Sequence, residues 1–238
     1  MLEALLLIRD TTVLSVMATV SGIFLLLSLL YQKHRTERGK WILFLGVSVP
    51  IAVGSLFLIA STIYENTTSF VGGPVHWHAD FQIYNCGEFV NLRDPEGLVN
   101  RIGTPLSHEH NDDRIHVEGT IRDESEAGLP AFFSVIGGEL KGDRIAIPTN
   151  DGLLLLTNGE RCPDGQAAEL QIFVYRMSPD GTVTQEKLTD FFAYRMTHSS
   201  RVPPGDCIVI EFGAAKEKTD HICPAYAASL MTGDAHLK

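Results

Sequence analysis

Val75-His76-Trp77-His78-Ala79-Asp80-Phe81-Gln82-Ile83-Tyr84 alternates apolar and polar residues. Successive side chains of a strand point to opposite faces. The pattern therefore predicts a strand that turns Val75, Trp77, Ala79, Phe81 and Ile83 to a core. Its other face carries two imidazoles and a carboxylate, His76, His78 and Asp80. Asn85-Cys86-Gly87-Glu88 predicts a turn, and residues 89–92 a hairpin partner. Further along, Ile115 and Val117 alternate with Arg114, His116 and Glu118. Residues 129–136 predict a short helix with Pro130 in its first turn. Residues 170–175 and 207–212 predict strands, and residues 187–196 a short helix carrying Phe191, Phe192 and Tyr194. The tail after Gly213 tolerates helix. Residues 75–238 thus form one mainly-β (α+β) domain, a sandwich or a β-grasp-like sheet.

Upstream of this strand the chain changes character. Residues 13–31 and 41–64 are uncharged apolar runs. A hydrocarbon core of about 30 Å needs about 20 apolar residues in a helix, so both runs qualify. They predict a transmembrane hairpin over residues 1–64, with helices at about 11–32 and 41–64, followed by a linker at 65–74. Pro50 falls inside the second run, and Tyr31, Trp41 and Tyr64 at run ends, where aromatic rings favour the interface. Ser15, Ala18, Ser21, Gly22, Gly46, Ser48, Gly54 and Ser55 permit close helix packing. Between the runs stand Lys33, Arg35, Arg38 and Lys40. Basic loops stay in the cytoplasm, so loop 32–40 is expected inside. The N-terminus and the C-terminal domain of this multi-pass cell-membrane protein then face outward. A cleaved signal peptide fits poorly, because the first run lacks a basic start. Asn66-Thr67-Thr68 is a glycosylation sequon expected just beyond the second helix.

Charge divides in the same way. Residues 1–64 hold five of the 19 basic and three of the 29 acidic side chains, leaving 14 and 26 for residues 65–238, a net of -12. So acidic a domain repels phosphate backbones, which argues against nucleic acid as a partner. The lipid bilayer and other membrane subunits are the partners expected. All four cysteines, Cys86, Cys162, Cys207 and Cys223, follow the second run. An even count in an exported domain predicts two disulfides. Of three pairings, Cys86–Cys162 with Cys207–Cys223 is preferred. No CxxC is present.

Five of the nine histidines fall between residues 76 and 116. His76 and His78 leave one strand face about 7 Å apart at Cα, a workable span for two ligands on one metal ion. His108-Glu109-His110 offers a second pair and His116 with Glu118 a third, with Asp112 and Asp113 nearby. Imidazole and carboxylate ligands suit transition metals, with copper or zinc the expected cofactor. The candidate ligands are His76, His78, His108, His110 and His116, with Asp80, Asp112 and Glu118 behind them. The lone His198, His221 and His236 are expected at the surface, and the pairs Phe132/Phe133 and Phe191/Phe192 in the core. No blue-copper, cupin, HExxH, GxSxG or phosphate-loop pattern is present. His76 to Phe81 approaches the HxHxDH of metallo-β-lactamase-like hydrolases, but Phe81 replaces the last histidine.

The set HWHADF (76–81), Cys86-Gly87, HxHxDxRIHVEG (108–119) and Phe132-Phe133 resembles an uncharacterised family of prokaryotic membrane-anchored extracytoplasmic His-rich domains. Residues 162–166 and 205–212 also look like that family. The resemblance implies that these histidines belong together and supplies no activity. Members usually carry a single anchor, so two helices are a departure. Three readings follow. One is an anchored metal-binding module, rather than an enzyme. The second is an accessory or structural subunit of a membrane complex with an outward cap. The third is a metal-dependent hydrolase or oxidase with Glu118 or Asp80 as base. A pH-sensing use of the histidines is a further, weaker fit.

Overall fold

A computed structural model describes residues 2–30, 36–196 and 205–238. The chain divides into two compact units between Thr68 and Ser69.

The first unit is a helical hairpin of α1 (Leu2–Leu30) and α2 (Glu37–Thr68). Ser21 Oγ donates to the Val47 carbonyl at 3.3 Å. Gly46 lies against Phe24, and Gly54 against Met17 and Leu14. Rising numbers on α2 meet falling numbers on α1, so the helices run antiparallel. Small residues at the contact let the backbones approach; Gly54 and Ser61 are buried, while Leu25, Leu29, Phe44 and Ile59 are exposed. Thr11–Leu30 and Glu37–Thr68 have the length and composition to cross a membrane.

Pro50 is accommodated inside α2. This helix starts before residue 41 and runs past Tyr64. At its start the Thr36 hydroxyl accepts from Gly39 N at 3.1 Å. At its end the Thr67 and Thr68 hydroxyls donate to the Tyr64 carbonyl at 3.0 and 2.9 Å. The sequon residue Asn66 therefore lies inside the helix, not beyond it. Arg38 and Lys40 of the basic loop lie in the first turns of α2; Lys33 and Arg35 fall outside the described residues.

The second unit is mainly β. Its strands are β1 (Val75–Asn85), β2 (Glu88–Phe89), β3 (Ile102–Gly103), β4 (Ser107–Glu109) and β5 (Arg114–Gly119). Helix α3 (Leu129–Val135) follows, then β6 (Glu139–Lys141), β7 (Arg144–Thr149), β8 (Gly152–Thr157), β9 (Glu169–Met177), β10 (Thr182–Lys187) and β11 (Asp206–Gly213). Helix α4 (Pro224–Thr232) and β12 (His236–Leu237) close the chain. The large sheet runs β12-β10-β9-β11-β1-β5-β4-β3, with β2 paired to β1. Strand β1 is parallel to β11 and antiparallel to β5, so the sheet is mixed. Strands β6, β7 and β8 form a separate antiparallel sheet.

One face of the large sheet makes the main core. Trp77, Ala79, Phe81 and Ile83 of β1 pack with Ile115, Val117, Ile172, Val174, Ile208 and Ile210. Phe132 and Phe133 of α3, and Ile145, Ile147 and Leu156 of the small sheet, complete it. Each fully buried side chain of this size contributes roughly 1.5–3 kcal/mol. The opposite face is divided. Over β9, β10 and β11, Phe173, Tyr175, Val183 and Val209 pack with Tyr226 of α4. Over β1, β5 and β4 that face belongs to the histidines.

The cysteines pair as Cys86–Cys162 and Cys207–Cys223, with Cα atoms 5.5 and 5.8 Å apart. The first ties the turn after β1 to the segment following β8. The second ties β11 to the start of α4.

Residues 187–196 do not form the expected helix. Asp190 Oδ1 accepts from Phe192 N and Ala193 N, at 3.0 and 3.3 Å; such local bonds compete with helix formation. Phe191 and Tyr194 are buried all the same, whereas Phe192 is exposed rather than core. His221 is half-buried and stacks on Tyr84, with ring centroids 3.6 Å apart, rather than lying free at the surface. His236 is exposed, and His198 falls outside the described residues.

Candidate metal centre

The polar face of β1 continues across two neighbouring strands. Strand register places His76 opposite Glu118, His78 opposite His116, and Asp80 opposite Arg114. On the far side of β5, His108 of β4 stands opposite His116. Directly opposed side chains are about 4.5–5.5 Å apart at Cβ. A ladder of His78, His116 and His108 therefore crosses three adjacent strands. The ring centroids of His78 and His116 are 4.7 Å apart, and those of His108 and His116 are 5.4 Å apart and stacked.

The ligand atoms form two groups. His76, His78 and Glu118 make one triad, and His108, His110 and His116 the other; within each, the ligand atoms lie within 4.8 Å of one another. In the first triad, His76 Nε2 stands 3.0 Å from His78 Nε2 and 3.1 Å from Glu118 Oε1. Two ligands about 2.0–2.1 Å from a tetrahedral zinc ion lie roughly 3.3 Å apart, so the spacing fits a shared ion. Glu118 is thus grouped with the candidate ligands, rather than behind them.

The second triad is more enclosed. His108 is 2% exposed, and the His116 side chain 11%. Two of the histidines are anchored through one ring nitrogen, as metal-ligating histidines usually are. His110 Nδ1 bonds the Asn100 carbonyl at 2.5 Å, and His116 Nε2 bonds Asp112 Oδ2 at 3.3 Å. With Nε2 donating to Asp112, His116 Nδ1 keeps a lone pair. His116 Nδ1 and His108 Nδ1 are both buried with no hydrogen-bond partner. Buried polar atoms almost always find partners, and two such imidazole nitrogens in one cluster are placed where they could hold a metal ion.

Burial favours the neutral form of these rings. It pushes His116 down to about 4, against the pull of Asp112. Burial also lowers His108, with His110 adding to the effect. Neutral imidazoles are the metal-binding form.

The turn between β4 and β5 sets the second triad. Asn111 and Asp113 adopt left-handed backbone, with φ of 65° and 54°, which Asn and Asp tolerate better than most residues. Glu109 Oε1 accepts from Asp112 N at 2.6 Å and Asp113 N at 3.2 Å. Glu109 is 2% exposed, and burial raises its carboxyl above the usual range. Its role was hidden in the sequence between two more conspicuous histidines. The adjacent Asn-Asp-Asp is the signal that could have revealed a tight, carboxylate-held turn.

Asp80 is engaged by Arg114, whose Nε donates to Oδ1 at 2.6 Å. Burial outweighs that pairing and raises the Asp80 carboxyl. Arg114 and the Asn100 carbonyl are site neighbours that spacing did not single out. No protein family, no curated protein and no solved structure matches the chain.

Proposed function

We propose that the protein is a membrane-anchored, extracytoplasmic transition-metal binding protein, with copper or zinc as the ion held. The observation that carries this reading is the pair of buried, unsatisfied nitrogens, His108 Nδ1 and His116 Nδ1, beside His110. The all-nitrogen and oxygen ligand set suits zinc or copper(II) better than magnesium or calcium. Both triads leave a coordination position for solvent or a transfer partner. The use that follows is capture, delivery or structural support of a metal at the membrane surface.

Further parts of the reading rest on the sequence pattern. Helices α1 and α2 cross the bilayer, loop 32–40 lies in the cytoplasm, and residues 69–238 lie outside. Two disulfides suit that oxidising side. We read the outer domain as sandwich-like, supported by the core shared between the large and small sheets. We also place the chain with the prokaryotic His-rich domains that its motifs resemble.

The test is metal content. Full-length protein in detergent is loaded with zinc or copper, dialysed and measured by elemental mass spectrometry. Wild type should retain at least one equivalent, and a variant with all five site histidines changed to alanine should retain none. Wild type that retains no metal, or a variant that retains as much as wild type, would overturn the reading.

A further inference from the structure

The six candidate ligands fall into two triads, not one six-ligand cage. One side chain lies between them. Glu118 Oε1 is 3.1 Å from His76 Nε2 in its own triad and 3.9 Å from His116 Nδ1 in the other. We propose that this face holds two divalent transition-metal ions at once, one per triad, with the Glu118 carboxylate bridging them. The inference rests on the metal-binding reading above and adds the number of ions and the bridge.

Three observations support it. First, each triad supplies three protein ligands by itself, the count found in open zinc sites. Neither triad needs a residue from the other. Second, the buried nitrogen His116 Nδ1 has no hydrogen-bond partner, yet it faces the same carboxylate oxygen that His76 approaches. A bridging carboxylate between ions about 3.5–4 Å apart is the usual arrangement of two-metal sites. Third, negative charge is in surplus. Asp80, Glu109, Asp112, Asp113 and Glu118 gather around the histidines, against Arg114 and Arg101. With neutral imidazoles that leaves three formal negative charges, more than one divalent ion neutralises.

The two ions would not be equivalent. His76 is exposed, so the first site is open to solvent, whereas His108 encloses the second. The enclosed site should fill first and release its ion last.

The experiment is a zinc titration of full-length protein in detergent, with stoichiometry read by elemental mass spectrometry and calorimetry. Two equivalents are expected for wild type. His76→Ala should bind one and His110→Ala should bind one. Glu118→Gln should weaken the second equivalent at least tenfold. In a copper(II)-loaded sample, magnetic coupling should suppress the paramagnetic resonance of wild type, and His76→Ala should restore an isolated-ion spectrum. One equivalent in wild type overturns the two-ion proposal and leaves the metal-binding reading in place. No zinc bound overturns both. Two equivalents that persist in both histidine variants would place the ions elsewhere and also overturn it.

Discussion

His116 stands where the three-strand histidine ladder crosses. It lies opposite His78 on one side and His108 on the other, and Asp112 holds its Nε2. Burial keeps its ring neutral down to about pH 4, whereas a histidine in the unfolded chain takes a proton near 6.5. Between those values the unfolded state binds more protons, so the contribution of His116 to stability falls as pH drops from about 6.5 towards 4 and is constant above. His108 shifts in the same direction. The raised carboxyls of Asp80, Glu109 and Asp113 act in the opposite sense, so the difference between wild type and His116→Gln isolates the histidine. With metal chelated, denaturant midpoints at pH 7.5 and 4.5 should differ more for wild type than for His116→Gln. Equal differences would contradict the buried, neutral ring. The candidate ligands could be named from the HxH, HxH and HxE spacings, although Glu109 could not. Their partition into triads was not legible there. It depends on the β4–β5 register and on the Glu109-held turn, which depend on contacts that spacing does not encode.

Among the elements, β1 announced itself because strict period-two alternation has one simple structural solution. The same alternation marked β5, and the strands expected at 170–175 and 207–212 stand as β9 and β11. It passed over β8, where Leu153 to Leu156 form an unbroken apolar run that gives no face. It also mistook residues 187–196, whose aromatic spacing suits a helix that the Asp190 turn prevents. The small sheet that includes β8 is tied to the large one by Cys86–Cys162, which closes a loop of 76 residues. On chain-entropy grounds a loop of that length is worth about 4.5 kcal/mol. Replacing both cysteines with alanine should lower unfolding stability by about 3–5 kcal/mol in a denaturant titration, while the far-ultraviolet dichroism stays that of a mainly-β domain. A loss below about 1 kcal/mol would show that the bridge does not constrain the unfolded chain.

Across the whole molecule, an apolar helical hairpin and an acidic β unit are joined in one chain. Anchoring by α1 and α2 predicts that full-length protein stays with the membrane pellet through an alkaline carbonate wash; release into the supernatant would contradict it. The two-part organisation was legible from the separation of uncharged runs and acidic residues alone. The division of the sheet's second face, with α4 over one half and histidines over the other, needed the strand order. That division is what makes a metal centre possible here. The most direct measurement is X-ray absorption at the zinc edge of zinc-loaded, full-length protein. Ligation by these side chains gives a first shell of nitrogen and oxygen only, at about 2.0–2.1 Å, with the outer-shell scattering of several imidazoles. A sulfur shell near 2.3 Å, or an oxygen shell without imidazole scattering, would contradict it.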